Sequence, residues 1–104
     1  VINSGGVKIF PEQVEKKLFP HIHRRYFVAG QPDDALGERV VLFIEGEPLQ
    51  AEEQQQLQHL FPTILQRYET PRQLVAIPHF LHSDAGKVQK RATLEQYHKS
   101  NKEE

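Results

Sequence analysis

The apolar pattern of this chain predicts an α+β fold: a small three-stranded, mostly antiparallel sheet with packed helices, plus an N-terminal β-hairpin. Three observations carry that prediction. Val40-Val41-Leu42-Phe43-Ile44 is an unbroken apolar run between Arg39 and Glu45, as expected of a central strand buried on both faces. Leu57, Leu60, Phe61, Ile64, Leu65 and Tyr68 recur at helical spacing and form one apolar stripe. Gly5-Gly6 separates two short β-forming segments, where paired glycines supply the positive φ of a tight turn.

The elements follow in order. Val1 to Ile9 reads as two strands about the Ser4-Gly5-Gly6 turn. Pro11 suits the first position of a helix, since its φ is preset and its missing N–H would have no partner there. Glu12 and Glu15 fall in the opening turns, where the helix dipole favours negative charge. Val14 and Leu18 share a face, and Pro20 stops the helix after two or three turns. Arg25 to Ala29 is a strand candidate, and Gly30-Gln31-Pro32-Asp33-Asp34 has the chemistry of a turn.

The apolar run of residues 40–44 comes next, closed by Gly46-Glu47-Pro48. A second helix starts near Ala51. Pro62 predicts a kink or restart within it, and Thr70-Pro71 ends it. Leu74-Val75-Ala76-Ile77 is a third strand stopped by Pro78, and Leu94 and Tyr97 mark one side of a last helix. Lys99 to Glu104 should fray.

Composition narrows the function. A length of 104 residues implies one domain. Thirteen basic against fourteen acidic residues leave a net charge of −1, which argues against a nucleic-acid or anionic-membrane surface, whose affinity comes from clustered Lys and Arg. No cysteine is present, which excludes a disulfide framework and a thiolate metal site and fits a cytoplasmic protein. No apolar run approaches the ~20 residues that span a bilayer. The chain also lacks Met, and Val1-Ile2-Asn3 reads as mid-strand, so the expectation is a piece of a longer protein.

The most chemically suggestive stretch is Ser83-Asp84-Ala85-Gly86-Lys87-Val88-Gln89-Lys90-Arg91. It holds out a lysine after a glycine, a mobile point charge suited to a phosphate. It is not a Walker A loop, which needs glycine where Leu81 stands and Ser or Thr where Val88 stands. His21, His23, His59, His79, His82 and His98 lack a carboxylate at metal spacing and read as surface histidines. There is neither a Gly-x-Ser-x-Gly elbow nor a cysteine nucleophile. Glu12 and Glu15 read as dipole partners facing water rather than as an acid–base pair. The residues alone thus predict an α+β domain with a projecting lysine.

Three stretches, in this order, resemble the C-terminal lid domain of the adenylate-forming enzymes. Val1 to Glu15 is similar to the segment after that family's interdomain hinge. Pro32-Asp33-Asp34-Ala35-Leu36-Gly37-Glu38-Arg39-Val40 resembles its Pro-Asp…Gly-Glu turn, and Gly86-Lys87-Val88-Gln89-Lys90-Arg91 resembles its last motif. The resemblance covers nearly all of residues 1–104. It implies an ATP- and Mg²⁺-dependent carboxylic acid–CoA ligase that first forms an acyl-adenylate and then passes the acyl group to coenzyme A. No such cofactor is expected on this piece alone.

The resemblance also assigns parts. Lys87 is the catalytic lysine of adenylation, and Ser4, Gly5 and Gly6 lie on the pantetheine side after the domain rotates. The partner is a large N-terminal domain of the same chain. The run Val1 to Ile9 looks most like bacterial o-succinylbenzoate–CoA ligases of menaquinone biosynthesis. Other aryl- or fatty-acyl-CoA ligases, carrier-protein adenylation enzymes and, from another class, a non-catalytic binding module are the alternatives. Arg24, Arg25, Lys90 and Arg91 are candidate phosphate contacts. The approach to the lysine, Leu81-His82-Ser83-Asp84-Ala85, departs from the family's Pro-x-Thr-like pattern.

Overall fold

Strand β4 (Gly37–Glu45) is the axis of the fold. A computed structural model describes residues 1–102, in the order β1 (Ile2–Ser4), β2 (Val7–Ile9), α1 (Pro11–Leu18), β3 (Tyr26–Asp33), β4, α2 (Ala51–Ile64), a short 3-10 helix (Arg67–Glu69), β5 (Gln73–Ile77) and α3 (Lys90–Lys102). From Gly37 to Ile44 β4 pairs antiparallel with β3. On its other side β5 runs parallel to residues 41–45, and β1 reaches it at Ser4 opposite Gly37.

The alternation along β4 makes two cores. Val40, Leu42 and Ile44 face the hairpin, α1 and α2, joining Ile2, Ile9, Val14, Leu18, Leu57 and Phe61. Val41 and Phe43 face the other way, with Phe27, Ile77 and Phe80, where Leu94 and Tyr97 of α3 pack. All five of these β4 side chains are at most 1% exposed. Full burial of one such side chain stabilises a fold by roughly 1.5–3 kcal/mol. The predicted central strand, buried on both faces, is what the structure contains.

Three sequence expectations need correction. β3 runs straight through Gly30-Gln31-Pro32-Asp33, where a turn was expected. It is an edge strand, and Pro32 falls in register with Val28, whose N–H points outward to Glu15, so the missing N–H costs no ladder bond. Gly30 serves close approach instead: a Cβ there would lie 3.0 Å from Ile2 Cγ2. The reversal comes later, where Asp33 Oδ1 accepts the N–H groups of Ala35 and Leu36 and Gly37 adopts φ +83°.

The expected hairpin joins the other three strands in one five-stranded sheet, β5 being the parallel one. Pro62 does not produce a restart. It sits in the last turn of α2, which ends at Ile64, and Leu65 turns extended while its N–H still bonds Phe61 O. Tyr68 therefore lies on the 3-10 helix, 52% exposed, and not on the apolar stripe. Helix α3 runs from Lys90 to Lys102, and residues 103–104 of the end expected to fray lie outside the described residues.

Candidate functional site

Lys87 stands on a loop that its own backbone closes. Ser83 N–H donates to Lys87 O at 2.8 Å, and Gly86 N–H donates to Ser83 O at 2.9 Å. His82 and Val88 pair as an isolated antiparallel bridge below them. Gly86 adopts φ +81° with open space around it, so the turn needs glycine for its backbone and not for room. At the stem, Gln89 N–H donates to Leu81 O at 2.7 Å. Val88, next to Lys87, packs into the Phe27–Phe43–Phe80 cluster.

The loop is also held from beneath. Thr93, 1% exposed, accepts Leu81 N–H at its hydroxyl (3.0 Å) and donates that hydroxyl to Gln89 O at 2.7 Å. Lys87 itself is exposed, and among the described residues no hydrogen bond or ion pair engages its ammonium. A mobile cation thus projects from a pinned base.

Charged groups surround the stem. Glu15 Oε2 accepts both Lys90 Nζ and Val28 N–H, each at 2.7 Å, while its carbonyl accepts the Tyr26 hydroxyl at 2.6 Å. Burial, then the Glu15 charge, raises the Tyr26 phenol above its ordinary pKa. The Arg25 guanidinium contacts His82 Nε2. A groove of about 990 Å³ between α1 and the loop is lined by Lys16, Phe19, Ile22, Arg25 and Val88 among others.

The residues expected at the pantetheine side lie elsewhere. Gly5 and Gly6 form the β1–β2 turn with φ +58° and +84°, and Gly5 N–H donates to Leu36 O at 2.9 Å. Ser4 pairs with Gly37 at the start of β4, which on its other side pairs with Asp33 at the C-terminal end of β3, whereas the Lys87 loop touches Arg25, just before the start of β3. Strand β3 has eight residues, so the two sites are roughly 25 Å apart at ~3.3 Å per residue. The domain does not bring Lys87 and Ser4-Gly5-Gly6 together.

Of the candidate phosphate contacts, three are already engaged. Arg24 bonds Glu53 (3.0 Å) and Glu47 O (2.7 Å), Arg25 bonds His82, and Lys90 bonds Glu15. Arg91 is the open one, its side chain 95% exposed and only 3.7 Å from Glu95. All six histidines are exposed. Glu15 departs from the expectation of a carboxylate facing water: its side chain is 21% exposed, and Oε2 holds both Lys90 and Val28 N–H. No local signal marks it, because Lys90 lies at the far end of the chain.

No family model matches the chain. Similarity to individual proteins is extensive. The chain is 32% identical over 96 residues to a medium/long-chain-fatty-acid–CoA/3-oxocholest-4-en-26-oate–CoA ligase of Mycobacterium tuberculosis, covering 91% of this chain and 18% of that protein. It is 33% identical over 92 residues to pyochelin synthase PchD of Pseudomonas aeruginosa, covering 86% and 17%. Its fold superposes with TM-score 0.81 and 30% identity on an acyl-CoA synthetase (AMP-forming)/AMP-acid ligase II-like protein of Dyadobacter fermentans, covering 92% of this chain and 29% of that one.

In sequence and in fold the chain is thus similar to a part of acyl-CoA ligases. Its α+β architecture is that of the matching domain in these ligases. The chain spans less than a fifth of the length of the curated relatives it matches.

Proposed function

We propose that residues 1–104 form the mobile C-terminal domain of an ATP-dependent carboxylic acid–CoA ligase, with Lys87 as the catalytic residue of adenylation. The observation that carries this reading is the free, exposed ammonium of Lys87 on a loop braced from below. In the first half-reaction the acid's carboxylate oxygen attacks the α-phosphorus of ATP, and pyrophosphate leaves. Negative charge concentrates between carboxylate and phosphate, and a cation placed there lowers the barrier. In the second, the thiol of coenzyme A attacks the acyl carbon, and AMP leaves.

ATP, Mg²⁺ and coenzyme A would supply the adenylyl group, its charge neutralisation and the thiol. Among the described residues no group of three or more His, Cys, Asp or Glu side chains forms a metal site, so the large N-terminal domain would carry that ion. The separation of Lys87 from Ser4-Gly5-Gly6 by the length of β3 supports alternation: one end of the domain serves each half-reaction, and rotation exchanges them. Gly5 and Gly6 would line the pantetheine passage as backbone without side chains. Cytoplasmic placement belongs to the same proposal.

For the acid we propose o-succinylbenzoate, on the resemblance of Val1 to Ile9. The relatives' names point also to fatty acids and to a sterol acid, so the assay panel includes all three. The test compares wild type with Lys87→Ala in the full chain, following the half-reactions separately. Pyrophosphate release should fall roughly 100- to 1,000-fold, while preformed adenylate still passes to coenzyme A. Unchanged pyrophosphate release in Lys87→Ala overturns the assignment.

A further inference from the structure

We infer that Glu15 and Lys90 are positioning residues that set the placement of Lys87. This inference rests on the reading of Lys87 given above. Three elements converge on one carboxylate. Glu15 comes from α1, accepts the outward N–H of Val28 on the edge strand β3, and receives Lys90 Nζ from the first residue of α3, each bond at 2.7 Å. Tyr26 fixes the α1 backbone at the same residue through its 2.6 Å bond to Glu15 O. The Lys90 ammonium also lies 6.0 Å from the centre of the Phe27 ring, within the range of cation–π attraction.

The position of this junction gives it a role beyond stability. An ion pair with partners 38% and 21% exposed contributes little to the folding equilibrium. Yet Lys90 is three residues after Lys87 in a stretch with little freedom. Val88 is seated in the apolar cluster, Gln89 N–H is tied to Leu81 O, and α3 begins at Lys90. A shift of the first turn of α3 therefore passes directly to the loop. Thr93 fixes the loop's height over the sheet, and the Glu15–Lys90 pair fixes its sideways register against α1. A charge aimed at a reacting phosphate loses its effect with small displacement, since a misplacement of ~1 Å can cost on the order of 100-fold in rate.

The test uses the full chain with Glu15→Gln, Lys90→Gln, the double variant and Lys90→Arg. Glu15→Gln keeps an oxygen for Val28 N–H and removes only the charge. Each single loss should slow adenylation by roughly 10- to 100-fold and leave transfer from preformed adenylate unchanged. The double variant should be no worse than either single one, and Lys90→Arg should restore most of the rate. Amide exchange at Lys87 and Gln89 should quicken in Lys90→Gln while the β4 amides stay protected.

Three results would overturn the inference. If Lys87→Ala abolishes adenylation but Lys90→Gln matches wild type, the positioning role fails and the Lys87 reading survives. Equal slowing of both half-reactions would make the pair a general brace. If Lys87→Ala itself leaves adenylation intact, the parent reading fails and this inference falls with it.

Discussion

Replacing Thr93 with Val tests how the loop is held without relying on any activity. The two side chains have nearly the same shape, so the change removes one hydroxyl from a site that is 1% exposed. Gln89 O keeps the Thr93 backbone N–H at 2.9 Å, so it remains satisfied. Leu81 N–H, which donates to Thr93 Oγ1 at 3.0 Å, loses its acceptor. An orphaned, partly buried donor costs ~1–3 kcal/mol. For a domain of this size that is roughly 4–8 °C of melting temperature per kcal/mol. Thr93→Ser is the control, keeping the hydroxyl and losing one methyl, worth about 0.8 kcal/mol. Urea denaturation followed by circular dichroism gives both values, and amide exchange at Leu81 reports the local effect. A Thr93→Val variant within about 0.5 kcal/mol of wild type, the range of ordinary surface changes, would refute the reasoning.

Two further outcomes concern the opposite end of the sheet. Gly6→Ala should destabilise by ~1–2 kcal/mol from left-handed backbone strain alone, because a Cβ there meets nothing within 4 Å; thermal melting measures it, and a neutral result would show that the turn relaxes. Asp33 is held below its ordinary carboxylate pKa, chiefly by the Leu36 N–H, with Ala35 N–H, Arg39 and Arg72 adding and burial opposing. A depressed folded-state pKa stabilises above the unfolded value of roughly 3.9, and that contribution is lost as pH falls through the lower folded value. Asp33→Asn should therefore flatten the acid limb of the stability curve; an unchanged acid limb would remove Asp33 from the account.

Local chemistry was legible wherever one segment decides its own conformation. Gly5-Gly6, Pro11 and the run Val40 to Ile44 behave as their residue types require, since turn φ, helix entry and two-sided burial are properties of short stretches. Gly30 and Pro32 misled for the same reason. Both are turn formers by propensity, but an edge strand with Ile2 pressed on it accepts both. Lys87 was legible as a projecting cation after Gly86, and it is exposed.

What braces the lysine was not visible. Glu15 and Lys90 lie 75 positions apart, and nothing local distinguishes Glu15 from Glu12 on the same helix. Their 2.7 Å contact exists because β3, β4 and β5 bring α1 and the start of α3 to one edge of the sheet. Thr93 likewise reads as an ordinary helical residue until α3 closes over Leu81. The amino-acid order by itself determined the elements, the central strand and the projecting cation, because these follow from local backbone preference and apolar period. Only the tertiary structure decided which carboxylate fixes the loop and that the two candidate sites stand at opposite ends of β3, because contacts between distant residues depend on how the layers pack.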